Sequence, residues 1–109
     1  MNHTYAATEP PRAEIDALMG PTIVEFGAPW CPHCKAVQAP LSAALDGHEG
    51  VRHYKIEDGA GKPLGRSFNV KLWPTLVFMK DGVEVSRLVR ATQQAPIDEA
   101  VAQIDPAAA

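Results

Sequence analysis

Cys31 and Cys34 are the only two thiols in the chain, and Pro32 and His33 separate them. A Cys-x-x-Cys pair at the start of a helix lets one thiolate attack a foreign disulfide while the second thiol completes the exchange. As the first residue of such a helix, Cys31 lies against unpaired N–H groups and the positive end of the helix dipole, and both favour its thiolate. Pro29 and Trp30 precede it and are expected to hold the loop outside the core, leaving the Cys31 sulfur exposed. Cys34, nearly one helical turn further on and on the same side, is the resolving thiol and the more buried of the two. An imidazolium at His33 would stabilise the anion, favour the reduced protein and make the disulfide more oxidising. Pro32 lacks an N–H that the first helical turn leaves unpaired in any case.

Those residues need a strand before them and a helix after them, and the chain supplies both. Thr22 to Gly27 is β-branched and aromatic, nearly continuous in apolar character, and reads as a strand buried on both faces. Glu25 in its middle is the exception. An unpaired carboxylate there is costly, so its pKa is expected to rise. A helix from Cys31 to about Leu45 carries Val37, Leu41 and Leu45 on its inner stripe, with a kink expected at Pro40. Upstream, His3 to Ala7 reads as a short edge strand. Thr8 is placed to cap a helix starting near Pro10 and Pro11, which buries Ile15, Leu18 and Met19 and ends at Gly20. Downstream follow a strand over Val51 to Ile56 and a helix around Pro63 to Phe68. A hairpin then joins Thr75–Met79 to Val83–Val89 through Asp81-Gly82, and a last helix begins near Pro96 with Ile97, Val101 and Ile104 inward. The order is α/β, a mixed central sheet with helices on both faces.

Composition bounds the function. The chain has 109 residues, 46% of them apolar, a net charge of −3 and a mean hydropathy of −0.13. It reads as one domain over residues 1–109, frayed at 1–7 and 106–109. No basic stripe points to nucleic acid, and no polybasic or spanning segment points to a membrane. Met1 to Arg12 has no apolar signal core, so a cytoplasmic location is expected. Two cysteines exclude a structural disulfide framework and a four-thiolate metal site within one chain.

Four segments carry a family resemblance: Val24-Glu25-Phe26, Trp30-Cys31-x-x-Cys34-Lys35, Trp73-Pro74-Thr75 and the Asp81-Gly82 hairpin. On these the chain resembles a thioredoxin over almost its full length. The resemblance implies the thioredoxin fold, with a central mixed sheet of four or five strands flanked by helices on both faces. It implies that Glu25 takes the Cys34 proton through a water, and that Pro74 is a cis-proline setting the Trp73 backbone beside Cys31 for pairing with an extended substrate. Trp30, Trp73 and Arg90 would border that groove, with the Arg90 guanidinium favouring acidic or phosphorylated partners. His53 aligns loosely with a lysine that partners the acid in many thioredoxins. It is read as a strand residue facing partly outward, with a Glu25–His53 pair as the alternative. The chain departs from the family at Pro32-His33, where thioredoxins carry Gly-Pro, disulfide isomerases Gly-His and periplasmic DsbA-type oxidases Pro-His. Gly27 stands where a second Trp is usual, Pro40 falls one residue late, and the segment before Trp73 is about two residues longer.

The function implied is thiol–disulfide exchange without an organic cofactor or metal. Its partners are protein or small-molecule disulfides and a recycling thiol reductant or reductase, and the protein works as a monomer. A reducing cytosol argues for a reductase, while Pro32-His33 argues for an oxidant, an isomerase or chemistry on glutathione adducts. Two other classes stand beside it. One is a Zn or Cu(I) site built by two chains or by Cys31, Cys34 and His33. The other is a non-catalytic interaction module using the Trp30–Trp73 face.

Overall fold

A computed structural model describes residues 1–106, so Ala107 to Ala109 of the tail read as frayed lie outside the described residues. The element order is α1 (Arg12–Asp16), β1 (Pro21–Gly27), α2 (Pro32–Ala36), α3 (Gln38–Leu45), β2 (Arg52–Glu57), α4 (Pro63–Ser67), β3 (Thr75–Lys80), β4 (Val83–Val89) and α5 (Gln94–Ile104). The sheet has four strands in the order β2-β1-β3-β4. β1 pairs with β2 in parallel, and the β1–β3 and β3–β4 pairs are antiparallel.

β1 lies inside the sheet and is buried from Thr22 to Gly27, as its apolar run predicts. Strand alternation divides its side chains between two cores. Ile23 joins Leu41, Leu45, Phe78, Ile97 and Val101 under α3 and α5. Val24 and Phe26 join Ile15, Ile56, Leu64 and Phe68 under α1 and α4. Glu25 belongs to the first face, so its carboxylate points into the layer occupied by α2 and α3.

The helix after Cys31 is broken, though not at Pro40. α2 ends at Ala36 and α3 begins at Gln38, with Val37 serving as the end of one and the start of the other. Pro40 has no N–H to offer the carbonyl four residues earlier, that of Ala36, so the discontinuity falls one turn ahead of the proline. Val37, Leu41 and Leu45 nevertheless face inward as expected.

The N-terminal region departs from expectation. His3 to Ala7 forms no strand, and Thr8 caps nothing; Pro11 stands at the N-cap of α1 without a side-chain bond. Of the three residues assigned to the buried face of α1, Ile15 is fully buried, Leu18 half-buried and Met19 exposed. α1 ends at Asp16, and its short length leaves Met19 beyond the last turn. The Asn2 N–H donates to His53 Nδ1 at 2.9 Å and the Ala6 N–H to the Lys55 carbonyl at 2.9 Å, so the segment lies along the outer edge of β2.

The β3–β4 turn is seated against α1. Gly82 has φ +79°, and a Cβ added there would stand 2.0 Å from the Asp16 carbonyl oxygen. Gly82→Ala is therefore expected to lower stability by roughly 1–3 kcal/mol in urea unfolding. An unchanged midpoint would show that the turn can move off α1 freely.

Candidate active site

The thiol pair sits where β1 delivers the chain into α2. Cys31 is the N-cap of α2, and its Sγ accepts a hydrogen bond from the Cys34 N–H at 3.2 Å. This bond reaches back because Cys34 occupies the first turn, where N–H groups have no helical partner. Both residues are buried, Cys31 at 5% and Cys34 at 2% exposure. The exposed Cys31 read from the sequence is thus corrected. Trp30 does stand out in solvent, but Cys31 folds back beside Ala28 and Cys34, and Trp73 packs over the three. Burial pushes the Cys34 thiol well above the ordinary range, and the adjoining Cys31 sulfur and the Glu25 charge add to the effect.

Glu25 lies below the pair, fully buried, with three donors on its carboxylate. His53 Nε2 lies 2.8 Å from Oε1, Lys55 Nζ donates to Oε2 at 3.2 Å, and Gln38 Nε2 donates to Oε2 at 2.8 Å. The His53 tautomer follows from its other nitrogen. Nδ1 accepts from the Asn2 N–H, so Nε2 carries the hydrogen that Glu25 receives. Burial alone would raise the Glu25 pKa. The hydrogen bonds from His53 and Gln38 and the Lys55 charge outweigh it and hold the carboxyl below its usual range. The expected rise is reversed because the carboxylate is paired on every side. His53, read as facing partly outward, is buried and turned onto Glu25. Gln38 also donates to the Cys34 carbonyl at 2.8 Å, which ties the acid to the helix carrying the thiol.

The Trp73–Pro74 peptide is cis and precedes β3. Trp30 and Trp73 meet edge to face, their ring centroids 5.6 Å apart. Trp73 Nε1 donates to Asp58 Oδ2 at 2.9 Å. Arg90 adopts the left-handed region (φ 55°) and turns back on this loop. Its N–H donates to the Pro74 carbonyl at 2.8 Å and its Nε to the Trp73 carbonyl at 2.9 Å. His33 is exposed on α2, and among the described residues its ring makes no hydrogen bond. Nor do any three metal-ligating side chains gather among the described residues, so Cys31, Cys34 and His33 do not form the single-chain ligand set considered above.

The sequence reading missed Lys55, Gln38, Asp58 and the N-terminal segment. Lys55 had a usable signal. It is directly opposite Glu25 in the parallel β1–β2 register, and His53 lies two residues earlier on the same face. Gln38 is one helical turn beyond Cys34, the spacing at which a side chain reaches the preceding carbonyl.

A family model described as thioredoxin matches residues 7–103 of the chain. The structure of thioredoxin 2 from Pseudomonas aeruginosa PAO1 in its reduced form superposes with a TM-score of 0.84 at 49% identity, covering 95% of this chain and 96% of that one. Thioredoxin-2 of Saccharomyces cerevisiae is 31% identical over 80 residues, 73% of this chain and 76% of that protein. Protein disulfide-isomerase erp38 of Neurospora crassa is 44% identical over 62 residues, which cover 53% of this chain but 17% of that protein.

The folded-state pKa of Glu25 lies below its unfolded value. Its contribution to stability is therefore fully present above the ordinary carboxylate range and is lost as pH falls through the folded value. Glu25→Gln, which strands buried Lys55, is expected to cost roughly 3–5 kcal/mol at neutral pH. In urea unfolding followed from neutral to acid pH, the gap between the two proteins should close below the ordinary carboxylate range. A gap independent of pH would contradict the ionised, triply bonded carboxylate.

Proposed function

The chain belongs to the thioredoxin family of thiol–disulfide oxidoreductases, and we propose that it works as a reductase with Cys31 as nucleophile and Cys34 as resolving thiol. The observation that carries this assignment of roles is the Cys34 N–H on Cys31 Sγ, a donor to negative charge on Cys31, whereas burial raises the Cys34 thiol by more than its backbone bond at Ala28 lowers it. Burial keeps Cys34 protonated until it is needed.

The exchange runs in two steps. Cys31 thiolate attacks one sulfur of a substrate disulfide. A Cys31–substrate bond forms, the substrate S–S bond breaks, and the second substrate sulfur leaves as a thiolate. Cys34 then gives up its proton and attacks Cys31 Sγ. The Cys31–Cys34 bond forms, the mixed disulfide breaks, and the first substrate sulfur leaves. Two electrons have passed to the substrate, and a thiol reductant or reductase restores the dithiol. Glu25, ionised below the pair, accepts the Cys34 proton through a water. Trp30 and Trp73 give the substrate an apolar face, Pro74 shapes the loop beside the thiols, and Arg90 holds the Trp73 carbonyl. Partners are protein disulfides and small-molecule disulfides, and the setting is the reducing cytoplasm, with the protein acting as a monomer. Among the described residues no helix is long and apolar enough to cross a membrane.

A second reading is favoured by exposed His33 beside the nucleophile and by the erp38 match: an oxidant or isomerase. Equilibrium titration of the pair against glutathione separates them. A reductase should poise near about −270 mV and an isomerase nearer about −180 mV. The roles of the two thiols are tested by Cys34→Ser. This variant should accumulate covalent adducts with disulfide substrates through Cys31, while Cys31→Ser accumulates none. Trapping by Cys31→Ser alone would reverse the assignment, and equal trapping by both variants would abolish it.

A further inference from the structure

The N-terminal segment carries a phenol to the resolving thiol. Gly27, the last residue of β1, leaves open the space above its Cα. A Cβ built there would stand 2.6 Å from Cys34 Sγ and 3.3 Å from the Tyr5 hydroxyl oxygen. The sulfur and the hydroxyl therefore converge on one spot, from opposite elements. Gly27 permits this because any side chain would fill the place where the two approach.

Tyr5 is held there by three contacts that have nothing to do with Cys34. Lys55 Nζ lies 4.6 Å from the Tyr5 ring centroid, a cation–π contact between a buried ammonium and a half-buried ring. The Ala6 N–H bonds the Lys55 carbonyl at 2.9 Å on one side of Tyr5, and the Asn2 N–H bonds His53 Nδ1 at 2.9 Å on the other. Between the segment and the thiol lies a cavity of about 420 Å³, lined by Tyr5, Cys34, Gln38 and Lys55 together with His3 and Thr4. Burial raises the Tyr5 phenol, and negative charge on Cys34 is the next contribution, so the two groups sense each other and the phenol keeps its proton.

We propose that Tyr5 is a catalytic residue of the second exchange step, its hydroxyl donating a hydrogen bond to the Cys34 sulfur as that thiol becomes a thiolate. The proposal rests on the reading of Cys34 as the resolving thiol. A buried thiolate is a high-energy species unless a donor meets it. The Cys34 proton passes to Glu25, its sulfur forms the bond to Cys31 Sγ, and the substrate sulfur leaves. Tyr5 keeps its own proton throughout. The Ala28 backbone already bonds the Cys34 sulfur, and the Tyr5 hydroxyl adds a second neutral donor from the side of the N-terminal segment. The ionisable groups around it are Cys31 at the N-cap of α2, Lys35 on α2, Glu25 on β1, Lys55 and Glu57 on β2, and His3 within the segment itself.

The reduced protein mixed with dithiobis-nitrobenzoate in a stopped-flow instrument releases one coloured thiolate when Cys31 attacks and a second when Cys34 resolves the adduct. Tyr5→Phe keeps the ring over Lys55 and removes only the hydroxyl. It should leave the first release and the urea midpoint unchanged, slow the second about tenfold, and move the pH at which the second accelerates upward. A fluorinated tyrosine at position 5 should restore the second release. A second release in Tyr5→Phe that matches wild type at every pH overturns the proposal. Wild-type protein that releases a single thiolate overturns the reading of Cys34 itself, whatever Tyr5 does.

Discussion

One buried carboxylate organises the reactive end of this molecule. Glu25 sits fully enclosed on the inner strand of the sheet, where a lone charge would be ruinous, and three donors from two elements make it tolerable. Each donor has a second attachment. Gln38 also bonds the Cys34 carbonyl, His53 also accepts from the Asn2 N–H, and the Lys55 ammonium also faces the Tyr5 ring. The need to satisfy one acid thus couples the helix bearing the thiols, the outer strand and the start of the chain. Removing the acid would loosen the helix, the strand and the amino-terminal segment together.

The same enclosure explains the asymmetry of the thiols. Two sulfurs of identical chemistry lie within one helical turn, yet their surroundings differ. Cys31 receives an N–H, while Cys34 is desolvated and lies above a negative charge. An inner strand that ends at Gly27 and a helix that starts at Pro32 are sufficient to produce this. The backbone donor comes from the unpaired first turn, and the desolvation comes from the core below.

The sequence disclosed the fold well because its strands carry strong β-branched runs and its turns carry Gly and Pro at telling places. Thr22 to Gly27, Thr75 to Met79 and the Asp81-Gly82 turn were all legible, and so was the inward stripe of Val37, Leu41 and Leu45. The break at Val37 was displaced from Pro40 because a missing donor is felt at the acceptor one turn back. Cys31 and Cys34 could be located from spacing, and Pro74 from the resemblance to thioredoxins. The environment of Glu25 could not, since a single acid in an apolar run says nothing of what faces it. Strand register supplies that information, and register is a property of two segments thirty residues apart. The N-terminal segment was misread for a related reason. Polar, weakly patterned residues look frayed when their partners lie on the outer edge of β2 rather than among themselves.

The backbone oxygen of Trp73 already carries one donor, because the Arg90 guanidinium donates to it at 2.9 Å. An incoming polypeptide that paired with this loop in extended form would take the second lone pair and share the oxygen with the guanidinium. Docking there would place a second donor on an oxygen already polarised by a cation. A carboxylate on such a chain would meet the remaining N–H groups of the same guanidinium, so one arginine would touch both the backbone and the charge of whatever lies across the tryptophans.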